Sequence, residues 1–202
     1  MEQIRKCIDL PERPEADTVY FFPPCNPDET YYQERTDRNV GWITKDEQQA
    51  LRGMTLAIAG CGGMGGQIAE KFLRLGIGKI RIADNEVFEP SNINRQFAAS
   101  RSTIGKSKAL ETARLLRSIT DDAELTVYPQ GVCEKTVSEF LAGADAVCDE
   151  IEFWAAGSRI LLHREARGKG IPVFNCNTVG FGTHLFLFTP SGSTIEDCLG
   201  LK

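Results

Sequence analysis

The chain has few of the residues that build metal or redox centres. It contains only two histidines, His163 and His184, and none of its seven cysteines forms a Cys-x-x-Cys pair. An odd number of cysteines without such pairs argues against a disulfide framework and against a cysteine-type zinc site. Neither histidine has a nearby serine or cysteine partner for a nucleophilic triad. We interpret Cys61, Cys148 and Cys176, which lie in or beside apolar segments, as small buried hydrophobes.

The sequence also lacks long apolar runs and basic tracts. No apolar stretch approaches the roughly 20 residues that a membrane-spanning helix needs, and the N-terminus has no apolar core of a signal peptide. The 23 basic and 28 acidic residues give a net charge of −5, which gives no support for a nucleic-acid surface. We therefore expect a cytoplasmic protein with neither a membrane nor a nucleic-acid partner.

Strand-like and helix-like segments alternate along most of the 202 residues. Strands are predicted near residues 54–59, 77–84, 125–128, 144–149, 170–175 and 185–188, and helices near 28–36, 45–52, 64–75, 105–119, 134–141 and 154–168. Thr44 and Glu47 have the spacing of a capping box before the second helix. This alternation predicts a Rossmann-like, doubly wound α/β fold, with a mainly parallel sheet and helices on both faces.

The N-terminal part departs from this pattern. Residues 1–30 contain clustered prolines and aromatics, which predict an irregular arm that packs on the rest of the protein. We divide the chain into an N-terminal helical arm, residues 1–43, and a main domain, residues 44–202. The main domain is expected to be either a minimal domain or the front part of a longer protein.

A glycine-rich run at residues 60–66 follows a predicted buried strand and precedes a predicted helix. Gly60, Gly62 and Gly65 fit G-x-G-x-x-G, in which the first allows a tight turn, the second a close backbone approach and the third close helix–strand packing. The start of the helix offers unpaired N–H groups and about half a positive charge to an anion. This run, which includes Gly63, predicts a nucleotide-phosphate site. A ligand-free packed turn remains the alternative, and the run alone favours NAD.

Polar residues further along the chain distinguish between nucleotides. Asp84 ends the second predicted strand, 19 residues after Gly65, where an acid can bind ribose hydroxyls. A polar loop then brings five side chains towards the same place: Ser91, Asn92, Asn94, Arg95 and Gln96. Lys108 follows at the start of the next helix. An arginine and a lysine near the phosphates suit a reaction in which charge builds on a triphosphate, so the pair favours ATP over NAD.

These motifs together resemble the ThiF/MoeB/HesA family of adenylyltransferases, which are related to the ubiquitin-activating enzymes. The resemblance rests on the glycine run, Asp84, the Ser-Asn-Ile-Asn-Arg-Gln segment at 91–96 and the Gly-Lys-Ser-Lys segment at 105–108, and it covers about residues 35–190. It implies that a carboxylate attacks the α-phosphorus of ATP–Mg²⁺, giving an acyl-adenylate and pyrophosphate. The substrate it implies is the C-terminus of a ubiquitin-like or sulfur-carrier protein, or a peptide carboxylate.

The resemblance also implies roles for matched residues. Asp84 would hold the ribose, and Asn92, Arg95 and Lys108 would hold the phosphates. Arg95 and Lys108 would stabilise the charge on the reacting phosphorus and on the leaving pyrophosphate. Family members are commonly homodimers in which an N-terminal arginine reaches the partner's ATP. Arg38 lies in the matching place.

The sequence departs from the family pattern at the magnesium position. Alignment on Asp149 places Glu152 where relatives carry an aspartate. Glutamate keeps the oxygen ligands that Mg²⁺ prefers but is one methylene longer, and Asp149 could substitute for it. An active enzyme with altered metal geometry and a degenerate subunit that pairs with an active relative both stay open. An NAD-dependent oxidoreductase is the third alternative.

The remaining candidates carry weaker signals. Relatives often carry zinc-binding Cys-x-x-Cys pairs, which this sequence lacks, and many form a thioester on a cysteine. Cys198 lies near that region, but its neighbours are acidic and do not favour a catalytic thiol. At Cys176 we expect a structural rather than a catalytic thiol. His163 is expected to be a surface or satisfied core residue. His184, in a glycine-flanked stretch, is a candidate for the border of the substrate groove.

Overall fold

A computed structural model describes residues 10–26 and 28–201 of the chain. Seven strands form one sheet in the order β1-β4-β3-β2-β5-β6-β7. Their bounds are β1 Tyr20–Phe22, β2 Thr55–Ala59, β3 Lys79–Ala83, β4 Glu124–Tyr128, β5 Ala146–Asp149, β6 Val173–Val179 and β7 Gly182–Phe188. The five central strands are parallel, whereas β1 and β7 pair antiparallel at the two edges.

Helices cover both faces of this sheet. Within the described residues they are α1 Glu29–Thr36, α2 Lys45–Gly53, α3 Gly65–Leu75, α4 Lys108–Ile119, α5 Val137–Phe140, α6 Ala156–Gly168 and α7 Ile195–Leu199. The side chains of β2 alternate between two cores, as strand geometry requires. Leu56 and Ile58 pack with α3 and α4, while Ala57 and Ala59 pack with α5 and α6. The predicted Rossmann-like, doubly wound α/β fold is confirmed.

The predicted elements from residue 28 onwards are all present, with bounds shifted by a few residues. Helix α2 begins at the predicted capping box, in which the Thr44 hydroxyl accepts from the Glu47 N–H and the Glu47 carboxylate accepts from the Thr44 N–H. Helix α7 was not predicted, because it has only five residues. Across residues 10–26 and 28–201, no helix combines the length and the hydropathy that a membrane span requires.

The N-terminal arm is more regular than the sequence indicates. Residues Tyr20–Phe22 form β1 and pair with β4, and both Tyr20 and Phe22 pack against the core. Helix α1 also contacts the main domain, since Arg35 Nε lies 2.6 Å from Asp122 Oδ2. The expectation of an irregular segment was therefore wrong at residues 20–22. The division after residue 43 stays a prediction, and the part of the arm at residues 1–9 lies outside the described residues.

The cysteines largely match the expectation from the sequence. Five have free thiols, namely Cys61, Cys133, Cys148, Cys176 and Cys198. Cys25 is disulfide-bonded, so the argument against disulfides is wrong at this position. The argument addressed a framework of several bridges, and one bridge needs no such framework.

Candidate nucleotide-binding site

The predicted nucleotide residues converge where the sheet reverses its strand order. The central strand β2 lies between β3 and β5, and all three run parallel, so their carboxyl ends meet at one edge. Ligands of open α/β sheets bind in the crevice at such a switch point. A groove lies there, and its inner part is lined by residues that follow β2, β3, β4 and β5. The fold thus brings together motifs that lie about 90 residues apart in the sequence.

The glycine run forms the first turn of this groove, and two of its glycines are required by packing. Gly60 has a φ of 101°, and a Cβ there would collide with the backbone carbonyl of Glu150. A Cβ at Gly65, the first residue of α3, would collide with the carbonyl of Gly60. The predicted tight turn and close helix–strand packing therefore have direct steric causes.

The other two predicted glycines bring the run close to the polar loop. A Cβ at Gly62 would lie 3.7 Å from Gln96 Nε2, and one at Gly63 would lie 3.5 Å from Arg95 Cγ. These are ordinary contact distances, so Gly62 and Gly63 are not sterically obligatory. They place the backbone next to Gln96, a predicted nucleotide-binding residue, and next to Arg95, which is predicted to hold phosphates.

Asp84 ties the glycine run to the end of β3. Its Oδ2 accepts a hydrogen bond from the Cys61 N–H at 2.7 Å, and its Oδ1 accepts from the Glu86 N–H at 2.8 Å. Burial raises the pKa of the Asp84 carboxyl, and the two backbone hydrogen bonds offset part of that increase. Asp84 therefore has a structural role in the loop, and its contact with a ribose stays a prediction.

Lys108 supplies a cation to both parts of the groove. Its Nζ lies 2.6 Å from Glu86 Oε2, and only 5% of its side chain is exposed, against 43% of the Glu86 side chain. The Lys108 backbone N–H also donates to the Glu86 carbonyl at 2.9 Å. The buried ammonium is thus held at the groove by an exposed carboxylate, which an anionic ligand could replace.

The polar loop forms the outer part of the groove. Four of its five predicted residues line it, namely Ser91, Asn92, Arg95 and Gln96, whereas Asn94 does not. Asn92 is buried, and its Oδ1 accepts from the Glu89 N–H at 2.9 Å, so it shapes the turn. Arg95 is exposed, and its Nη1 donates to the Ser91 carbonyl and to Asn94 Oδ1. Within the described residues it forms no ion pair.

Gln96 has an unsatisfied amide inside the groove. Only 4% of the residue is exposed, and its buried Oε1 has no hydrogen-bond partner among the described residues. A buried polar atom without a partner is costly and calls for an explanation. The amide lies beside Gly62, so a polar ligand on the glycine run would be within its reach. The Gln96 Nε2, near Gly62, can donate to an anionic nucleotide as Lys108 can, whereas the Oε1 could accept only from a donor such as a hydroxyl.

Asp149 and Glu152, the predicted magnesium residues, have different surroundings. Asp149 is fully buried, with its Oδ2 2.9 Å from both Arg159 Nε and His163 Nε2 and its Oδ1 accepting from the Ile151 N–H. The Arg159 Nε contact is an ion pair without hydrogen-bond alignment. His163 is thus a satisfied core residue, as expected.

Glu152 is the better placed of the two carboxylates. It lines both parts of the groove together with Lys108, so the geometry favours it over Asp149 as the residue nearer a metal. No cluster of three or more metal-ligating side chains occurs in residues 10–26 and 28–201. A Mg²⁺ ion here would therefore take most of its ligands from phosphate oxygens and water, as this ion usually does.

Several groove residues escaped the sequence reasoning, among them Glu150 and Trp154. Glu150 lines the inner groove, accepts from the Cys176 N–H at 3.3 Å, and has a pKa that burial raises to about 8. Trp154 lines both parts. Glu150 gives no sequence signal beyond its place after a strand. The aromatic pair Phe153–Trp154 is an apolar interruption in a polar turn that could have identified Trp154.

The other candidates lie away from the groove. Arg38 is exposed on the 3₁₀ turn Asp37–Asn39, and His184 is exposed on β7 with its ring near Phe186. Cys198 is exposed on α7. None of them lines either part of the groove in the described chain. The role of Arg38 towards a partner's nucleotide stays a prediction.

The sheet order and the glycine run at its switch point define a protein of the Rossmann-like nucleotide-binding class. The model of the ThiF family matches residues 36–201, so the match covers most of the chain. The chain belongs to the ThiF family, as the resemblance predicts.

Individual relatives agree with this membership. The chain is 29% identical over 154 residues to the sulfur carrier protein ThiS adenylyltransferase of Bacillus subtilis, which covers 75% of the chain and 45% of the relative. It is 27% identical over 161 residues to the SAMP-activating enzyme E1 of Haloferax volcanii, covering 77% and 59%. The chain thus spans about half the length of these relatives.

A solved structure shows the same fold. The Escherichia coli tRNA N6-threonylcarbamoyladenosine dehydratase TcdA, in complex with ATP, superposes with a TM-score of 0.69 at 24% identity. The match covers 76% of this chain and 64% of the other. At this identity the similarity concerns the fold alone.

Proposed function

We propose that this chain is an ATP-dependent adenylyltransferase that activates a carboxylate. The observation that carries the proposal is the pairing of Arg95 and Lys108 with the glycine run in one groove. A site for a triphosphate needs such cations, because charge builds on the phosphates during the reaction. Relatives named as an adenylyltransferase and an activating enzyme support it.

The proposed chemistry is the reaction that the family resemblance implies, and the cations in the groove suit it. A carboxylate oxygen of the substrate forms a bond to the α-phosphorus of ATP, and the bond from that phosphorus to the bridging oxygen of pyrophosphate breaks. The electron pair of the broken bond leaves with pyrophosphate, and an acyl-adenylate remains. Arg95, which has no carboxylate partner among the described residues, contacts the phosphates, and Lys108 exchanges Glu86 for a phosphate oxygen. Mg²⁺, when bound, would neutralise phosphate charge beside Glu152.

The partners belong to the same proposal. The substrate is the C-terminus of a small carrier protein or a peptide carboxylate, which relatives named for the sulfur carrier ThiS and for SAMP activation support. The functional unit is a homodimer in which the exposed Arg38 reaches the nucleotide of the partner. Residues 1–43 serve as the arm that presents this arginine.

Pyrophosphate–ATP exchange tests the proposal. The protein is incubated with ATP, Mg²⁺, labelled pyrophosphate and a panel of carrier proteins that end in Gly-Gly. Label should enter ATP only when both Mg²⁺ and a suitable carboxylate are present. ATP binding without exchange across the panel would favour the degenerate subunit, for which Glu152 in place of aspartate is the supporting observation. NAD binding without ATP binding would overturn the proposal in favour of an oxidoreductase.

A further inference from the structure

Trp154 is a large aromatic side chain left in solvent at the centre of the groove. Its relative exposure is 75%, yet it lines both the inner part, with Gly60 and Asp84, and the outer part, with Arg95. Most residues around it are polar or charged. An apolar ring among convergent polar groups is a usual feature of a ligand-binding site.

The backbone beneath Trp154 is fixed. The Ile151 N–H donates to the buried Asp149 carboxylate at 3.2 Å, and the Ala155 N–H donates to the Glu152 carbonyl at 2.9 Å. Helix α6 begins directly afterwards, at Ala156. The turn therefore presents the indole from a defined place between β5 and α6.

The topology indicates which part of a ligand the indole meets. Asp84 follows β3, and Gly131 and Val132 follow β4, so the ribose and base side of the groove lies beyond β3. The phosphates belong on the glycine run after β2. Trp154 follows β5, on the opposite side of β2. A nucleotide that extends from its base across β2 therefore brings its phosphate chain towards Trp154.

The charges in the groove further limit which part of the bound ligands Trp154 can contact. The face of an indole carries partial negative charge, so it is a poor surface for phosphate oxygens. Arg95 and Lys108 line the same outer part of the groove and suit the β- and γ-phosphates better. What remains for Trp154 is the group that approaches the α-phosphorus from outside, namely the carboxylate substrate.

We propose that Trp154 is the wall against which the carboxylate-bearing end of the substrate packs, and that the occupant is an extended C-terminal peptide segment. This specificity role rests on the proposed adenylation. A flat ring that is fixed at its backbone and open on its outer face can cover an extended main chain while leaving its terminal carboxylate free to react.

Two adenosine ligands that differ only in the acyl group test this role. The first is 5′-O-sulfamoyladenosine, and the second is the same molecule N-acylated with glycylglycine, which imitates an acyl-adenylate. Their dissociation constants, and that of ATP, are measured by calorimetry on the full chain. Trp154→Ala should weaken binding of the acylated ligand about tenfold, with less than about twofold change for ATP and the unacylated ligand. Trp154→Phe should restore most of the difference.

Phe153 provides a matched control in the same turn. It is 73% exposed and lines neither part of the groove, so Phe153→Ala should leave all three affinities unchanged. Equal weakening of both adenosine ligands by Trp154→Ala would place the indole on the nucleotide and overturn the proposal, as would unchanged binding of the acylated ligand. If the wild-type chain binds neither ATP nor the two adenosine ligands, adenylation itself fails as well.

A fluorescence measurement tests the same role without removing the indole of Trp154. The chain has two tryptophans, and the other, Trp42, is 94% exposed in the arm. In a Trp42→Phe variant, the emission of Trp154 should shift to shorter wavelength with the acylated ligand and change little with ATP. A shift of equal size with ATP alone would contradict the proposal.

Discussion

The two walls of the groove are built by different interactions. The packed wall, residues 60–65 with Asp84, is fixed by backbone contacts that leave no room for a Cβ at Gly60 or Gly65. The charged wall, residues 91–96, presents an exposed Arg95 whose side-chain hydrogen bonds stay within its own segment. The first wall sets the shape of the groove and the second supplies its charge. Changes in the packed wall should therefore cost stability, whereas loss of the exposed Arg95 side chain in the charged wall should cost activity alone.

The largest effect is expected at the buried support of the packed wall. Asp149 pairs with Ala59 across β2 and β5, and Asp149→Asn would leave the buried guanidinium of Arg159 without its counter-charge. Loss of one partner of a buried ion pair costs about 3–5 kcal/mol. Urea denaturation should show this as a fall in the free energy of unfolding.

Glu152→Gln is the matched control on the groove surface. The side chain has no structural ion pair within the described residues, so the free energy of unfolding should change by less than about 0.5 kcal/mol. The Mg²⁺ dependence of pyrophosphate exchange should weaken instead. An Asp149→Asn protein as stable as wild type would show that Asp149 is not a structural support.

Gly60→Ala should damage the packed wall directly. The positive φ of Gly60 strains any other residue, and the added Cβ meets the carbonyl of Glu150. We expect a loss of about 3 kcal/mol in the free energy of unfolding, together with weaker ATP binding in calorimetry.

Gly143→Ala separates the cost of backbone strain from the cost of a steric clash. Gly143 also has a positive φ, of 66°, but a Cβ there would have no atom within 4 Å. Its replacement should cost only about 1 kcal/mol, from strain alone. Equal losses in the free energy of unfolding for the two variants would mean that the packed wall tolerates a side chain at Gly60. The steric difference between the two walls would then disappear.

Arg95→Ala should show the opposite behaviour at the charged wall. Because Arg95 is exposed and forms no ion pair among the described residues, its loss should leave thermal stability unchanged. Loss of one group that stabilises developing charge typically lowers a rate by about 10²-fold, or about 2.7 kcal/mol. Pyrophosphate exchange should fall accordingly. Arg101→Ala removes another exposed arginine that lies outside the groove and should leave the rate unchanged.

The sequence predicts those parts of the site that depend on local patterns. Glycine spacing, the capping box at Thr44 and the alternation of strands and helices are all local, and the structure contains each of them. Strand β1 has three residues before two prolines and forms only because β4 lies beside it. The pairing of Asp149 with Arg159 and His163 likewise depends on how α6 packs on β5. Such tertiary contacts produce no periodic pattern in the sequence from which they could be predicted.

The last prediction changes no residue and concerns Cys61, the one thiol of the packed wall. Burial, followed by the nearby Asp84 carboxylate, raises its pKa well above the usual value, so almost no thiolate forms at pH 8. At Cys133 partial burial acts in the same direction, but hydrogen bonds with Thr136 and the nearby Lys135 outweigh it and lower the pKa. Cys133 therefore carries more thiolate at pH 8, and the thiolate is the reactive form.

Iodoacetamide labelling at pH 8, followed by peptide mapping, checks this difference. Cys133 should be alkylated readily, while Cys61 should react more than about a hundredfold more slowly, because it becomes accessible only when the protein opens. In urea the two thiols should react alike, which controls for their intrinsic reactivity. Comparable rates in the native protein would show that the glycine run opens often. The glycine run would then hold the shape of the groove only part of the time. The two walls would differ in how rigid they are, and not in kind.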